Sequence, residues 1–131
     1  MGKNLMDYEL QAATLIGAAG VPVQMGGVIN IADYDTLTLY FTYVKGTEGG
    51  VHIYPVYHRR LGEPAYPYGE WTSAVGIKLF QRTYLRLTAS GKYYVTYDVT
   101  GQNLVTIENV AVSGTATGTL AASVLMTGEG M

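Results

Sequence analysis

From residue 36 to residue 58 the chain reads TLTLYFTYVKGTEGGVHIYPVYH, and its apolar residues recur at every second position. A period of two is the repeat of an extended strand, whose side chains point alternately to opposite faces. Leu37, Leu39, Phe41 and Tyr43 therefore share one face, with Thr38, Tyr40 and Thr42 on the other. Val51, Ile53, Pro55 and Tyr57 resume the alternation, opposite His52, Tyr54, Val56 and His58. The glycines of the intervening KGTEGG supply positive-φ positions, so the two runs are expected to pair as a hairpin. Pro55 has no N–H to give a ladder and predicts a sheet edge or a bulge at that point.

The same grammar continues downstream. Strands are expected at 75–80, 83–88 and 93–99, the last with Tyr93, Val95, Tyr97 and Val99 on one side. Turn residues at Ser90-Gly91 and at 100–103 bound them. Residues 104–112 change phase, because Val105 and Ile107 alternate on one face while Val110 and Val112 fall on the other, which predicts a bulge near Glu108-Asn109. Leu120, Ala122, Val124 and Met126 mark a final strand. Residues 59–73, RRLGEPAYPYGEWTS, read as one long loop, since two prolines and two glycines interrupt any regular pattern.

The opening segment fits both periods: Leu5, Tyr8, Ala12, Leu15 and Ile16 make a helical stripe, and Tyr8, Leu10, Ala12, Thr14 and Ile16 make a strand face. Gly17, Gly20, Gly26 and Gly27 break any long helix, so an extended N-terminal arm or first strand is expected over 1–26, ahead of a sandwich domain over 27–131. Seven or eight short strands separated by turns, with no convincing helix, define the fold class as all-β. The expected architecture is an antiparallel β-sandwich of jelly-roll type.

A length of 131 residues is that of one ordinary domain, able to bury roughly two-thirds of its unfolded surface. The chain has no cysteine, so neither a disulfide framework nor a thiolate metal site can form. Charged residues make up 14% of it, against about a quarter in typical domains. A net charge of -2 offers no basic stripe for phosphate, so no nucleic-acid partner is expected. Asp7 and Glu9 interrupt any signal-peptide core, and no run of apolar residues is long enough for a spanning helix. A soluble protein made inside the cell, with no membrane partner, is the expectation.

Candidate chemistry is sparse. Glu63 and Glu70 flank the aromatic loop as the paired carboxylates of a glycosidase would, but solvated loop charges explain them as well. His52 and His58 share a strand face without a third ligand at a useful spacing, and Asp33-Tyr34-Asp35 reads more simply as a turn than as a calcium site. There is no Gly-x-Ser-x-Gly elbow, dinucleotide fingerprint or phosphate loop. No enzyme activity, metal or cofactor is expected.

What stands out is twelve tyrosines, with Tyr40, Tyr54, Tyr66, Tyr68, Tyr84 and Tyr94 expected to face outward beside Trp71. Such rings combine a large apolar area with a polar tip and are enriched where proteins meet. Tyr40, Tyr54, Tyr66, Tyr68 and Trp71, with Arg59 and Arg60, are therefore the candidate protein-contact residues. A register error of one residue would turn some of these rings into core. A carbohydrate-binding module is the competing reading, with Tyr66, Tyr68 and Trp71 stacking on sugar rings and Glu63 or Glu70 accepting hydroxyl hydrogen bonds.

Four segments carry a family likeness: DYELQAATLIGAAG, INIADYDTLTLYFTYVKGTEGGVHIYPVYH, LTASGKYYVTYDV and the closing glycine- and threonine-rich strand. Together they resemble a type of small virion-associated protein of tailed bacteriophages and prophages, over most of residues 7 to 126. The likeness extends to capsid decoration, or cement, proteins. It implies a structural virion protein on the capsid surface, made in the host cytoplasm, whose partners are the major capsid protein and copies of itself in a homotrimer. A tail or fibre component would share the same motifs, which define a fold and carry no catalysis.

Overall fold

In the computed structural model, which describes residues 3–63, 69–72, 76–79 and 85–129, the described residues form strands and no helix. In chain order the strands are β1 (Lys3–Leu15), β2 (Val23–Asn30), β3 (Thr36–Val44), β4 (Val51–His58), β5 (Gly69–Thr72), β6 (Gly76–Leu79), β7 (Leu85–Leu87), β8 (Gly91–Asp98), β9 (Leu104–Ala111) and β10 (Thr119–Glu129). Sheet I has the order β1-β10-β3-β8 and sheet II the order β2-β9-β4-β7, while among the described residues β5 and β6 pair with each other alone. All pairings are antiparallel. Setting β5 and β6 aside, successive strands alternate between the sheets except from β4 to β7, and the two interleaved four-stranded sheets are those of a jelly roll.

The core lies where the inner faces meet. Leu37, Leu39, Phe41 and Tyr43 of β3 and Leu120, Ala122, Val124 and Met126 of β10 are buried, as the alternation predicts. Met25, Ile29, Val51, Ile53, Val105 and Ile107 meet them from sheet II. Each side chain of this size contributes roughly 1.5–3 kcal/mol when fully buried, so this layer supplies most of the drive to fold.

Three expectations need correction, and a fourth is met. The runs at 36–44 and 51–58 are strands, but β3 and β4 lie in different sheets and do not form a hairpin. Periodicity fixes which face a residue takes and says nothing about which strand lies alongside. The expected bulge near Glu108-Asn109 is absent, for β9 pairs residue by residue with β4 from Leu104 to Ala111. The phase change arises instead because Asn109 points inward, where its Oδ1 accepts from the Gly17 N–H at 2.9 Å. The loop expected over 59–73 contains β5, whose Trp71 pairs with Ile77 of β6. The opening segment takes its strand alternative, since β1 pairs along β10 from Lys3 to Leu15, with register shifts on either side of Gln11.

Pro55 meets its expectation in a local form. It sits opposite Ile107 on β9, but β7 pairs β4 only over Val51, His52 and Ile53, so among the described residues β4 is an edge on that side by Pro55.

Candidate interaction face

The outer face of sheet I is built by alternation on its two central strands. Placing Leu39 and Phe41 inward turns Thr38, Tyr40 and Thr42 outward on β3, and placing Ala122 and Val124 inward turns Ala121, Ser123 and Leu125 outward on β10. Neither strand carries a charged residue on this face between Thr36 and Val44 or between Thr119 and Thr127. On β8 the outward set is Lys92, Tyr94, Thr96 and Asp98, all exposed. Tyr40 is 46% and Tyr94 69% exposed, and their rings lie 6.0 Å apart between centroids at 33°, a tilted pair at the tall end of the face. Beside them an open depression of about 480 Å³ runs over Ala121, Ser123 and Ala12, with Glu9 and Lys92 on opposite sides.

The remaining candidate residues fall elsewhere. Tyr54 was expected outward and is on the face away from the core, but it is only 2% exposed. Here the outer face is itself covered: Val56 and Thr106 are buried next to it, and the Tyr54 hydroxyl donates to Glu108 Oε1 at 3.0 Å across the register pair with β9. Tyr54 is therefore a packing residue and leaves the candidate contact set. Arg59 and Arg60 are exposed and both face Glu63. Arg59 donates through Nε and Nη2 at 3.1 and 2.8 Å, and Arg60 Nε lies at 3.7 Å. Tyr66, Tyr68 and Tyr84 lie outside the described residues, and of Trp71 only its place in β5 is described.

The two histidines share the outer face of β4 as expected, and His58 has structural partners. Its Nδ1 lies 3.0 Å from the Glu63 carbonyl oxygen and its Nε2 lies 3.1 Å from Thr106 Oγ1. Asp33 and Asp35 belong to the connection between β2 and β3, tied down by an Asp35 N–H to Thr127 carbonyl bond of 2.8 Å. Among the described residues no group of three or more His, Asp or Glu is arranged to hold a metal ion.

The sequence reading missed the small residues opposite the rings and the buried acid that fixes one end of the sandwich. Alternation in TLAASVLM contains the first signal, for Ala121 and Ser123 stand outward where bulkier residues would be free to stand. Glu48, in the connection between β3 and β4, is fully buried. Its Oε2 accepts from the Tyr43 hydroxyl at 2.5 Å and the Gly46 N–H at 2.8 Å, and its Oε1 from the Thr117 and Gly118 N–H groups at 3.0 and 2.8 Å. Burial alone would raise its pKa, but the hydrogen bond from Tyr43 and those from the three backbone groups outweigh it and hold the value down to about 2. Burial and the same carboxylate push the Tyr43 hydroxyl well above its ordinary range. A Cβ on Gly118 would run into the Glu48 carboxylate and the Val44 carbonyl, so the clasp requires glycine there.

Compared with known proteins, the chain matches no protein-family model and no curated protein sequence. It does match solved structures. The crystal structure of the SPBc2 prophage-derived protein YomS superposes over 97% of this chain and 96% of its own, with a TM-score of 0.58 and 16% identity. A chain from the structure of infectious bursal disease virus, Gx strain, covers 98% of this chain with a TM-score of 0.51 and 14% identity, and this chain spans 33% of it. At these identities the likeness is one of fold: the jelly roll derived above is shared with a prophage-derived protein and with part of a viral one.

Proposed function

We propose that this chain is a structural component of a phage particle, a decoration protein that settles on the capsid surface, binds the major capsid protein and stabilises the shell as a homotrimer. The observation that carries the reading is the outer face of sheet I, where exposed Tyr40 and Tyr94 stand beside each other and the two central strands, β3 and β10, carry no charge on their outward side. A face of that kind gains free energy by being covered, and a rigid two-sheet domain holds it in a fixed shape. The fold shared with the prophage-derived protein and the viral chain supports a place in a virion, and the phage-type motifs in the sequence support the decoration role. The reading assigns the chain no reaction. A tail or fibre position would use the same face and differ only in location.

Co-sedimentation with expanded, undecorated phage shells tests the proposal. The purified protein should pellet with shells to a saturable stoichiometry and raise their thermal disruption temperature. Tyr94→Asp should weaken that binding by about tenfold or more, the loss expected for an aromatic anchor. Protein that stays in the supernatant at every shell concentration overturns the reading.

A further inference from the structure

The relief of the sheet I face is complementary to itself. Through the strand registers, Glu9, Ser123, Tyr40 and Tyr94 form one cross-strand row, and Ala121, Thr42 and Lys92 form part of the next. Each row is low at β10 and high at β8, with β3 between them. Neighbouring strands lie about 4.8 Å apart, so β10 and β8 are displaced by equal amounts to either side of β3. We propose that two copies of this chain pair through this face, about a twofold axis running along β3.

Rotation about that axis carries β8 of one copy over β10 of the other without changing the position along the strands. The 69%-exposed Tyr94 then seats over Ser123 and the depression beside it. Lys92 travels with it toward the side of the depression that carries Glu9, so the charges meet as opposites. Each contact is made twice, as in any isologous pair. The other in-plane axis, perpendicular to the strands, would lay β8 on β8. That arrangement sets ring against ring and Lys92 near its own copy, and leaves the depression empty.

The area sets the strength. With the axis along β3, the strands β10, β3 and β8 overlap and β1 overhangs, so three strands at about 4.8 Å and eight residues at about 3.3 Å span roughly 380 Å² per copy. The pair thus covers about 760 Å², the size of a transient contact and not of a permanent one. The expected contact is weak and reversible, with a dissociation constant on the order of 100 μM. The inference goes beyond a place on a shell and concerns the free protein: a second copy and a shell would cover the same face, so pairing in solution gives way where the protein docks on a shell. Together with a threefold association it would give six copies.

Sedimentation velocity of the full chain over roughly 10–1,000 μM, the range suited to a contact of this size, gives the first readout. Masses of two copies of 14.1 kDa, or of six, are expected. One or three copies throughout overturns the pairing. Ser123→Arg fills the depression and should weaken self-association by about tenfold or more without unfolding the chain. Wild-type association in that variant also counts against the proposal. Because the chain lacks cysteine, Thr42→Cys introduces one thiol near the axis, and a short bis-maleimide should join two copies through it. Leu61→Cys, 77% exposed and off this face, should stay unlinked, and the reverse pattern overturns the proposed axis. A chain that stays odd-numbered yet binds shells removes this contact and keeps the decoration reading. A paired chain that ignores shells does the opposite.

Discussion

Four donors converge on the carboxylate of Glu48, which gives one residue control over the join between the β3–β4 connection and the approach to β10. Its pKa falls from 4.5 to about 2 on folding. A depressed carboxyl contributes its full stabilisation above the unfolded value and loses it as pH falls through the folded one, so the affected window runs from 4.5 down to about 2. That difference amounts to about 3 kcal/mol at neutral pH. Thermal melts should therefore hold a plateau above the window and drop steeply inside it. Glu48→Gln replaces one acceptor oxygen by an NH₂ group facing N–H and O–H donors. It should cost about 3 kcal/mol in a urea titration at pH 7 and flatten the acid limb. An unchanged urea midpoint would show that the four bonds contribute little. None of this was legible in the sequence, where Glu48 is one letter of a glycine-rich turn and two of its partners, Thr117 and Gly118, lie some seventy residues away.

At the level of elements, the sequence told the faces of strands and failed on their neighbours. The inward sets of β3, β8 and β10 were readable because each strand has one buried face, and burial imposes the period of two directly. β4 defeated that logic because both its faces are covered, so Tyr54 looked like a surface ring. β9 defeated it in another way, with a polar residue on its inner face. Asn109 is 1% exposed and satisfies the Gly17 N–H, and its side chain was mistaken for a break in the strand. The two descriptions of β9 differ in an experiment. With Asn109 inward, Asn109→Ala strands a buried donor and should cost about 1–3 kcal/mol, whereas Val110→Thr on the half-covered outer face should stay within about 1 kcal/mol. Denaturation midpoints that rank the two the other way would restore the bulge.

The molecule as a whole is closed by its ends. Sheet I joins strands from distant parts of the chain, since among the described residues β1 pairs with β10 alone and β10 also pairs with β3. Apart from β4 and β7, strands of the two four-stranded sheets that follow one another in the chain do not lie side by side. The face proposed for contact therefore does not exist until distant segments have met: Glu9, Ser123, Tyr40 and Tyr94 share a row only through three separate registers. That is why the sequence displayed the tyrosines but not the depression between them and Glu9. The same topology sets the folding rate, because loop closure must come before any sheet contact can reward it. Stopped-flow refolding from urea should give relaxation times of milliseconds to seconds, the range of all-β domains dominated by non-local pairing. Deleting residues 1–15 should expose the β10 edge and abolish the cooperative transition, because β10 would lose one of its two partners, β1, along nearly its whole length. Refolding in microseconds, or a truncated chain that melts like the intact one, would mean that the face forms locally and that its geometry does not depend on the closed sandwich.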